Sequence, residues 1–263
     1  MYDTHAHLNF RELKDKIDQI VQESKKVGLT GIIIASSNLA DSKEAVKMCE
    51  NYLGFLYASV GIHPQKTDPE NKMSIEEQLK SLEDIILESK RSSAIVAIGE
   101  TGLDFSEAPP GEENRTKEDQ GTLFKGQISL AQKYELPLAI HAREAVDETI
   151  EVLSSLTHQG VFHCYAGGKK RIQKILNLPG EWYFGFDGNL TYDEGLQNTL
   201  KLVPENRIII ETDSPYLTPV PHRGETNTPA YLPLIQEKIN EIWGKDLTEQ
   251  IVHNTRKLFK LNY

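Results

Sequence analysis

Five of the eight histidines in this 263-residue chain, His5, His7, His63, His141 and His163, stand at the ends of short apolar runs, as do Glu100 and Asp213. Residues two apart on a strand point to one side, so the imidazoles of His5 and His7 can face a single ion. Alone that His-X-His pair is a weak signal, because a hydrogen-bonded core histidine is the commoner use of the residue. Its company strengthens it. Neutral imidazole suits zinc, manganese, iron, cobalt or nickel, whereas a pure magnesium site prefers oxygen donors. His5, His7, His141 and His163 with Glu100 and Asp213 are too many donors for one ion that keeps an open position. They suffice for two divalent ions if one carboxylate bridges, and Glu100, near the centre of the set, is the natural bridge. Two ions about 3.5–4 Å apart activate a shared water and stabilise a leaving oxygen. Asp213 then has two roles, as a ligand and as the general base that takes the water's proton. A carboxylate beside a dication stays ionised at neutral pH.

The elements that must position these groups are legible in the alternation of the chain. Apolar runs expected as strands are residues 1–4, 31–35, 56–60, 94–98, 138–140, 161–164, 183–186 and 208–211. Several are continuous rather than alternating, as in Gly31-Ile32-Ile33-Ile34-Ala35, which suits strands buried on both faces. Between them lie stretches of helical period, such as Leu13, Ile17, Ile20 and Val21, or Ile75, Leu79, Leu82 and Ile86. Eight such units without a break in composition predict an α/β fold, one (β/α)8 TIM-type barrel spanning residues 1–263. An open doubly wound sheet is the runner-up, but no Gly-X-Gly-X-X-Gly turn follows the first strand. In a barrel, function collects at the C-terminal ends of the strands, which is where the polar residues fall. Residues 106–118 (SEAPPGEENRTKE) break the pattern and read as a long exposed loop, either a substrate-contact element or a surface insertion. Two last helices, residues 231–243 and 247–258, are split by Gly244, the second capped near Asp246, and are expected to close the barrel.

Composition sets the remaining bounds. With 38% hydrophobic and 26% charged residues, the chain can bury a full core without staples. Cys49 and Cys164 are far apart and in unlike contexts, which argues for a reducing compartment. The first residues have neither a basic nor an apolar leader pattern, and no apolar run reaches the ~20 residues of a membrane span. A cytoplasmic protein, acting as a monomer and without a membrane partner, is the expectation. The net charge of −10 counts against non-specific nucleic-acid binding. Bound dications would reverse the sign locally.

Residues 1–9 (MYDTHAHLN), 137–143 (PLAIHAR) and 208–215 (IIIETDSP) resemble the three signature motifs of the TatD family of metal-dependent deoxyribonucleases. Residues 61–64 (GIHP), 98–104 (IGETGLD) and 162–167 (FHCYAG) fit the same pattern, in family order along nearly the whole chain. The resemblance implies a TIM-type barrel of the amidohydrolase superfamily. It places His5, His7, Glu100 and Asp213 around one metal, and Glu100, His141 and His163 around the other. Many relatives in that superfamily bridge with a carbamylated lysine; here Glu100 ends the fourth strand, as in the TatD branch. The implied activity is metal-dependent hydrolysis of nucleic-acid phosphodiesters, typically 3′→5′ on single-stranded ends of DNA, with RNA the other candidate. The ions would be magnesium, manganese or zinc. Some members are linked instead to removing D-amino acids from tRNA.

Other residues carry lesser expectations. His63 is placed by the family pattern near a substrate phosphate. Arg143, two beyond His141 on the same side, suits bidentate phosphate contact, unless it pairs with Glu144 or Asp147. Asp104 and Glu211 suit roles beside the ligands rather than on the metal. Residues 221–231 (PHRGETNTPAY) resemble a family segment that carries Arg223 and Asn227 to the substrate, although Glu225 and Thr226 stand where many members are basic. Lys169, Lys170 and Arg171 could steer a polyanion, but a solvated helix face is the commoner use. Cys164 reads as packing. The alternative activity is hydrolysis of an amide or ester, as a D-aminoacyl-tRNA deacylase or a small-molecule lactonase, because the same centre attacks carbon as readily as phosphorus. A catalytically silent barrel is the third reading, opposed by the complete set of ligand positions.

Overall fold

The structure, a computed structural model, describes residues 1–67, 73–89, 94–108 and 115–261. Eight strands lie side by side in chain order, every ladder parallel: β1 (Tyr2–Ala6), β2 (Gly31–Ala35), β3 (Leu56–Val60), β4 (Ile95–Asp104), β5 (Leu138–Arg143), β6 (His158–Phe162), β7 (Gly180–Phe186) and β8 (Ile208–Ile210). Helices α1 (Ile17–Lys26), α2 (Leu39–Glu50), α3 (Ile75–Glu88), α4 (Lys117–Tyr134), α5 (Val146–Leu153), α6 (Lys169–Leu176), α7 (Glu194–Leu200) and α8 (Leu232–Trp243) follow the strands in turn. A ninth, α9 (Thr248–Phe259), ends the fold. The ring closes between its first and last strands. Ala6 bridges Ser214, Asp213 N donates to His5 O at 2.9 Å, and His7 N donates to Ser214 O at 2.7 Å. The fold is the (β/α)8 barrel.

Five strands end elsewhere than the sequence pattern has them: β1 and β5 run on to Ala6 and Arg143, β8 stops at Ile210, and β4 and β6 differ too. β4 runs six residues beyond Ile98, through Gly102, pairing Gly102 with His141 and Asp104 with Arg143. Gly102 permits a close approach here. At φ +138° a Cβ would meet His141 O at 2.0 Å, so only glycine lets β4 lie against β5 at that point. β6 stops at Phe162, leaving His163 one residue past the strand. The expected loop at 106–118 lies partly outside the described residues, at 109–114, and α4 already begins at Lys117 with Thr116 Oγ1 capping Asp119 N.

Burial is polarised along the barrel axis. Ile33, Ala97, Ala139, Val161, Tyr183 and Ile209 pack inside with Tyr2 and with Leu258, Phe259 and Leu261 from the end of the chain. Asn254 Nδ2 bonds Ile208 O, Arg256 Nε bonds Tyr2 Oη, and Lys260 Nζ bonds Glu135 O. Those partners lie at or just before strand starts, so α9 plugs the N-terminal mouth. Each large apolar side chain buried there contributes roughly 1.5–3 kcal/mol. The opposite mouth is where buried polar side chains collect, including His5, His7, Glu100, His163 and Glu211. Cys49 and Cys164 are both free thiols. Among the described residues no helix is long and apolar enough to cross a membrane.

Candidate metal centre

Bonds between β1 and the segment just past β8 build one side of the centre. Asp3, fully buried, accepts Thr212 N at 2.9 Å and Thr212 Oγ1 at 2.6 Å. Beyond β8 the chain turns at Asp213, whose φ of +54° is a left-handed conformation that a side chain adopts at a cost of order 1–3 kcal/mol. The backbone bonds to His5 O and from Tyr216 N, each 2.9 Å, hold it there. This turn aims the Asp213 carboxylate at the pair on β1. Its Oδ1 lies 3.7 Å from His5 Nε2 and 3.3 Å from His7 Nε2.

Glu100 occupies the middle. Its Oε1 faces His163 Nε2 at 3.1 Å, His141 Nδ1 at 3.6 Å and His5 Nε2 at 3.8 Å, while Oε2 faces His7 Nε2 at 3.5 Å. Most of these spacings are too long for good hydrogen bonds. The shorter two, 3.1 and 3.5 Å, match donors that share a cation, which at bonds of about 2.0–2.2 Å stand roughly 3–3.5 Å apart. Among the described residues, His5 Nε2 is buried with no hydrogen-bond partner, as are His7 Nδ1 and His163 Nδ1. Buried polar atoms are ordinarily satisfied, so an orphan aimed at two carboxylates fits a cation. Donor atoms of His5, Glu100 and His163 lie within 4.8 Å of one another, and so do those of His5, His7 and Asp213. His5 therefore stands between the two groups rather than in one alone. All six residues expected as ligands come together here.

Protonation follows from the packing. Burial and then the positive neighbour His163 hold His5 well below the usual imidazole range, and the two rings stack face to face at 4.1 Å. Burial also opposes charge on His141, but Asp104 and then Glu100 outweigh it and carry His141 up to about 9. Burial pushes Glu100 upward, yet the surrounding histidines, His141 and His163 first, hold it well below the carboxylate range. Protons thus do in this cluster what a dication would do better. Around the cluster, Asp104 bonds His141 Nε2 at 2.8 Å and Ser106 Oγ at 2.6 Å, turning the His141 Nδ1 edge toward Glu100. Glu211, fully buried and pushed up to about 8 by that burial, accepts Cys164 N and so anchors the turn that carries His163. A Cβ on Gly185 would lie 2.5 Å from its Oε1, so glycine makes the room.

The four expected substrate contacts divide. The His63 ring meets the His141 ring edge-on at 4.3 Å, and burial, then His141, pushes it down to about 3. Its Nδ1 accepts Gln65 N, which keeps it at the edge of the cluster. Arg143 ends β5, exposed and without an ion pair among the described residues. Asp147, one of its expected partners, instead holds Arg171 at 2.6 Å and Lys174 at 3.0 Å. Arg223 lies over the Tyr192 ring, 4.0 Å from its centroid, and donates to Tyr192 Oη. Asn227 departs from its expected role. It is fully buried, and its Nδ2 donates to Thr212 O at 2.8 Å and Tyr216 O at 2.6 Å, so it braces the Asp213 turn and has no donor left for a substrate. Lys169 and Lys170 are exposed at the start of α6. Burial raises the Cys164 thiol well above its usual range, in keeping with packing. Sequence reasoning missed Asp3, although it precedes His5 by two on the same side of β1. It also missed Phe10, whose ring stacks on His7 at 4.4 Å.

The geometry has relatives. A Bacillus subtilis protein called an uncharacterized metal-dependent hydrolase, YabD, is 30% identical over the full length of both chains. An Edwardsiella piscicida protein named 3′-5′ ssDNA/RNA exonuclease TatD is also 30% identical, covering 99% of this chain and all of its own. The crystal structure of the Escherichia coli TatD homologue YJJV superposes with a TM-score of 0.85 at 24% identity, over 100% of this chain and 98% of the other. It shows the same fold. The family described as TatD related DNase matches residues 2–260. With the barrel and its ligand cluster in hand, that match across nearly the whole chain makes this protein a member of the TatD family, a metal-dependent hydrolase.

Proposed function

We propose that the chain is a two-metal phosphodiesterase that removes nucleotides from the 3′ end of single-stranded DNA or RNA. The carrying observation is the cluster itself: four imidazoles and the Asp213 carboxylate gathered about Glu100, with the buried His5 Nε2 without a hydrogen-bond partner among the described residues. His5, His7 and Asp213 would hold one divalent ion, His141 and His163 the other, and Glu100 both. Such ions supply Lewis acidity and a water acidic enough to attack at neutral pH. Asp213, the more exposed of the two acids, would serve as the base that takes the attacking water's proton. Arg143 suits a bidentate grip on a phosphate oxygen pair, and His63 suits a single hydrogen bond from Nε2. The name carried by the Edwardsiella relative supports the polarity and the strand preference.

The test is digestion of 5′-labelled single-stranded DNA and RNA by purified protein with magnesium, manganese or zinc. Shortening from the 3′ end, stopped by EDTA and reduced by about 10²–10⁴-fold in Asp213→Asn and in Glu100→Gln, is the expected result. Intact oligonucleotide with every metal overturns the proposal. The net charge of −10 and the non-basic Glu225 and Thr226 favour a second reading, hydrolysis of an amide or ester such as D-aminoacyl-tRNA or a lactone. Assaying those substrates beside the oligonucleotides separates the two.

A further inference from the structure

Tyr216 is half exposed, three residues past Asp213, at the rim of the ligand cluster. A single exposed aromatic is ordinary on a protein surface and by itself means nothing. What sets this one apart is where it is held. Its ring centroid lies 6.4 Å from that of His7 at 65°, and 6.3 Å from that of Phe10 at 74°. Phe10 in turn covers the His7 ring. The Tyr216 backbone is fixed on both sides, its N–H on Asp213 O and its carbonyl on the buried Asn227 amide, and Leu217 next to it is left-handed at φ +54°. The phenol has no hydrogen-bond partner among the described residues, so the fold makes no use of it. A rigid ring with a free face, one layer from a metal ligand, is what a flat ligand needs.

We infer that Tyr216 is a stacking platform for the base at the end of a single-stranded nucleic acid, seating that strand's last phosphodiester at the cluster. The inference rests on the phosphodiesterase reading and names how its substrate is held. Stacking on an aromatic face is tolerant of sequence, because every base has a π-face, and so suits an enzyme that shortens any strand. It also leaves the reacting groups alone: Tyr216 sets the position of the strand, while Asp213 and Glu100 serve the metal ions and the attacking water. Asn227 becomes a positioning residue at one remove, since its amide holds both the Tyr216 carbonyl and the Thr212 carbonyl before Asp213.

The experiment compares wild-type protein, Tyr216→Ala and Tyr216→Phe, each loaded with manganese. Binding is read by fluorescence anisotropy of a short labelled oligothymidylate ending in phosphorothioate linkages. Turnover is read on strands ending in an ordinary nucleotide or in an abasic sugar. Tyr216→Ala should weaken binding about tenfold, raise KM rather than lower kcat, and lose the preference for a terminal base, whereas Tyr216→Phe keeps all three. An alanine variant that matches wild type overturns the inference while the phosphodiesterase reading stands. A phenylalanine variant that falls as far as alanine also overturns it, since the hydroxyl would then carry the effect. If wild-type protein binds the oligonucleotide through Tyr216 but cuts nothing, the platform stands and the phosphodiesterase reading falls. If it neither binds nor cuts, both are overturned.

Discussion

At the scale of residues, the centre is a contest between burial and charge. Burial alone would leave the imidazoles neutral, and it does so for His5. At His141 the two carboxylates Asp104 and Glu100 prevail, and its value rises to about 9. A metal ion needs the neutral ring, so at pH 7 ion binding at His141 must expel a proton. The sign follows: affinity increases as pH rises and levels off above about 9, where the ring is already neutral. Calorimetric titration with manganese in buffers of different ionisation enthalpy should therefore give buffer-dependent heats at pH 7. Heats that do not depend on buffer would remove the protonated His141. Asp104→Asn loses the carboxylate that orients this ring and is expected to weaken metal binding by about 10–100-fold, measured by the same titration.

At the scale of elements, the proposed ligands are aimed by backbone that departs from regular strand. Asp213 sits in a left-handed turn, His163 lies just past β6, and β4 continues under His141 only because residue 102 has no side chain. Gly102→Ala places a methyl group 2.0 Å from His141 O, so β4 and β5 must separate where Glu100 and His141 need to converge. On the two-ion proposal, the expected outcome is a folded barrel with far-ultraviolet circular dichroism near wild type and loss of one metal equivalent by elemental analysis. Retention of both equivalents would show that the contact between those strands is dispensable. Part of this was legible beforehand. The period-2 spacing of His5 and His7 and the apolar runs before Glu100, His141 and Asp213 located the elements. The extension of β4 was not, because the apolar run stops at Ile98 and the close contact of Gly102 with β5 is set by a strand far off in the chain.

At the scale of the whole molecule, the two mouths of the barrel have separate tasks. α9 seals the N-terminal mouth with Leu258, Phe259 and Leu261, and the C-terminal mouth carries the polar groups. Phe259→Ala should cost about 3–5 kcal/mol, a drop in Tm on the order of 10 °C, with metal content and activity at low temperature unchanged. A loss of metal in step with stability would mean that the two ends are coupled. The ring of eight strands is what makes the separation workable. Its packed interior gives the ligands a rigid floor, and the loops above it are free of the work of folding.

By itself the sequence determined the barrel, the order of its strands and the identity of the clustered donors, because these depend on residue type and period. Tertiary structure decided the rest. His5 proved to stand between two ligand groups, since Glu100 and Asp213 approach it from opposite sides of the ring. Asn227, expected at the substrate, became a buried brace because the chain after β8 folds back over it. Arg143 has no ion pair among the described residues, and Asp147, its expected partner, turned to Arg171 and Lys174 on the neighbouring helix. Each of these is a choice among partners far apart in the chain. Local pattern carries no information on that choice; only the closed ring brings the competitors within reach of one another.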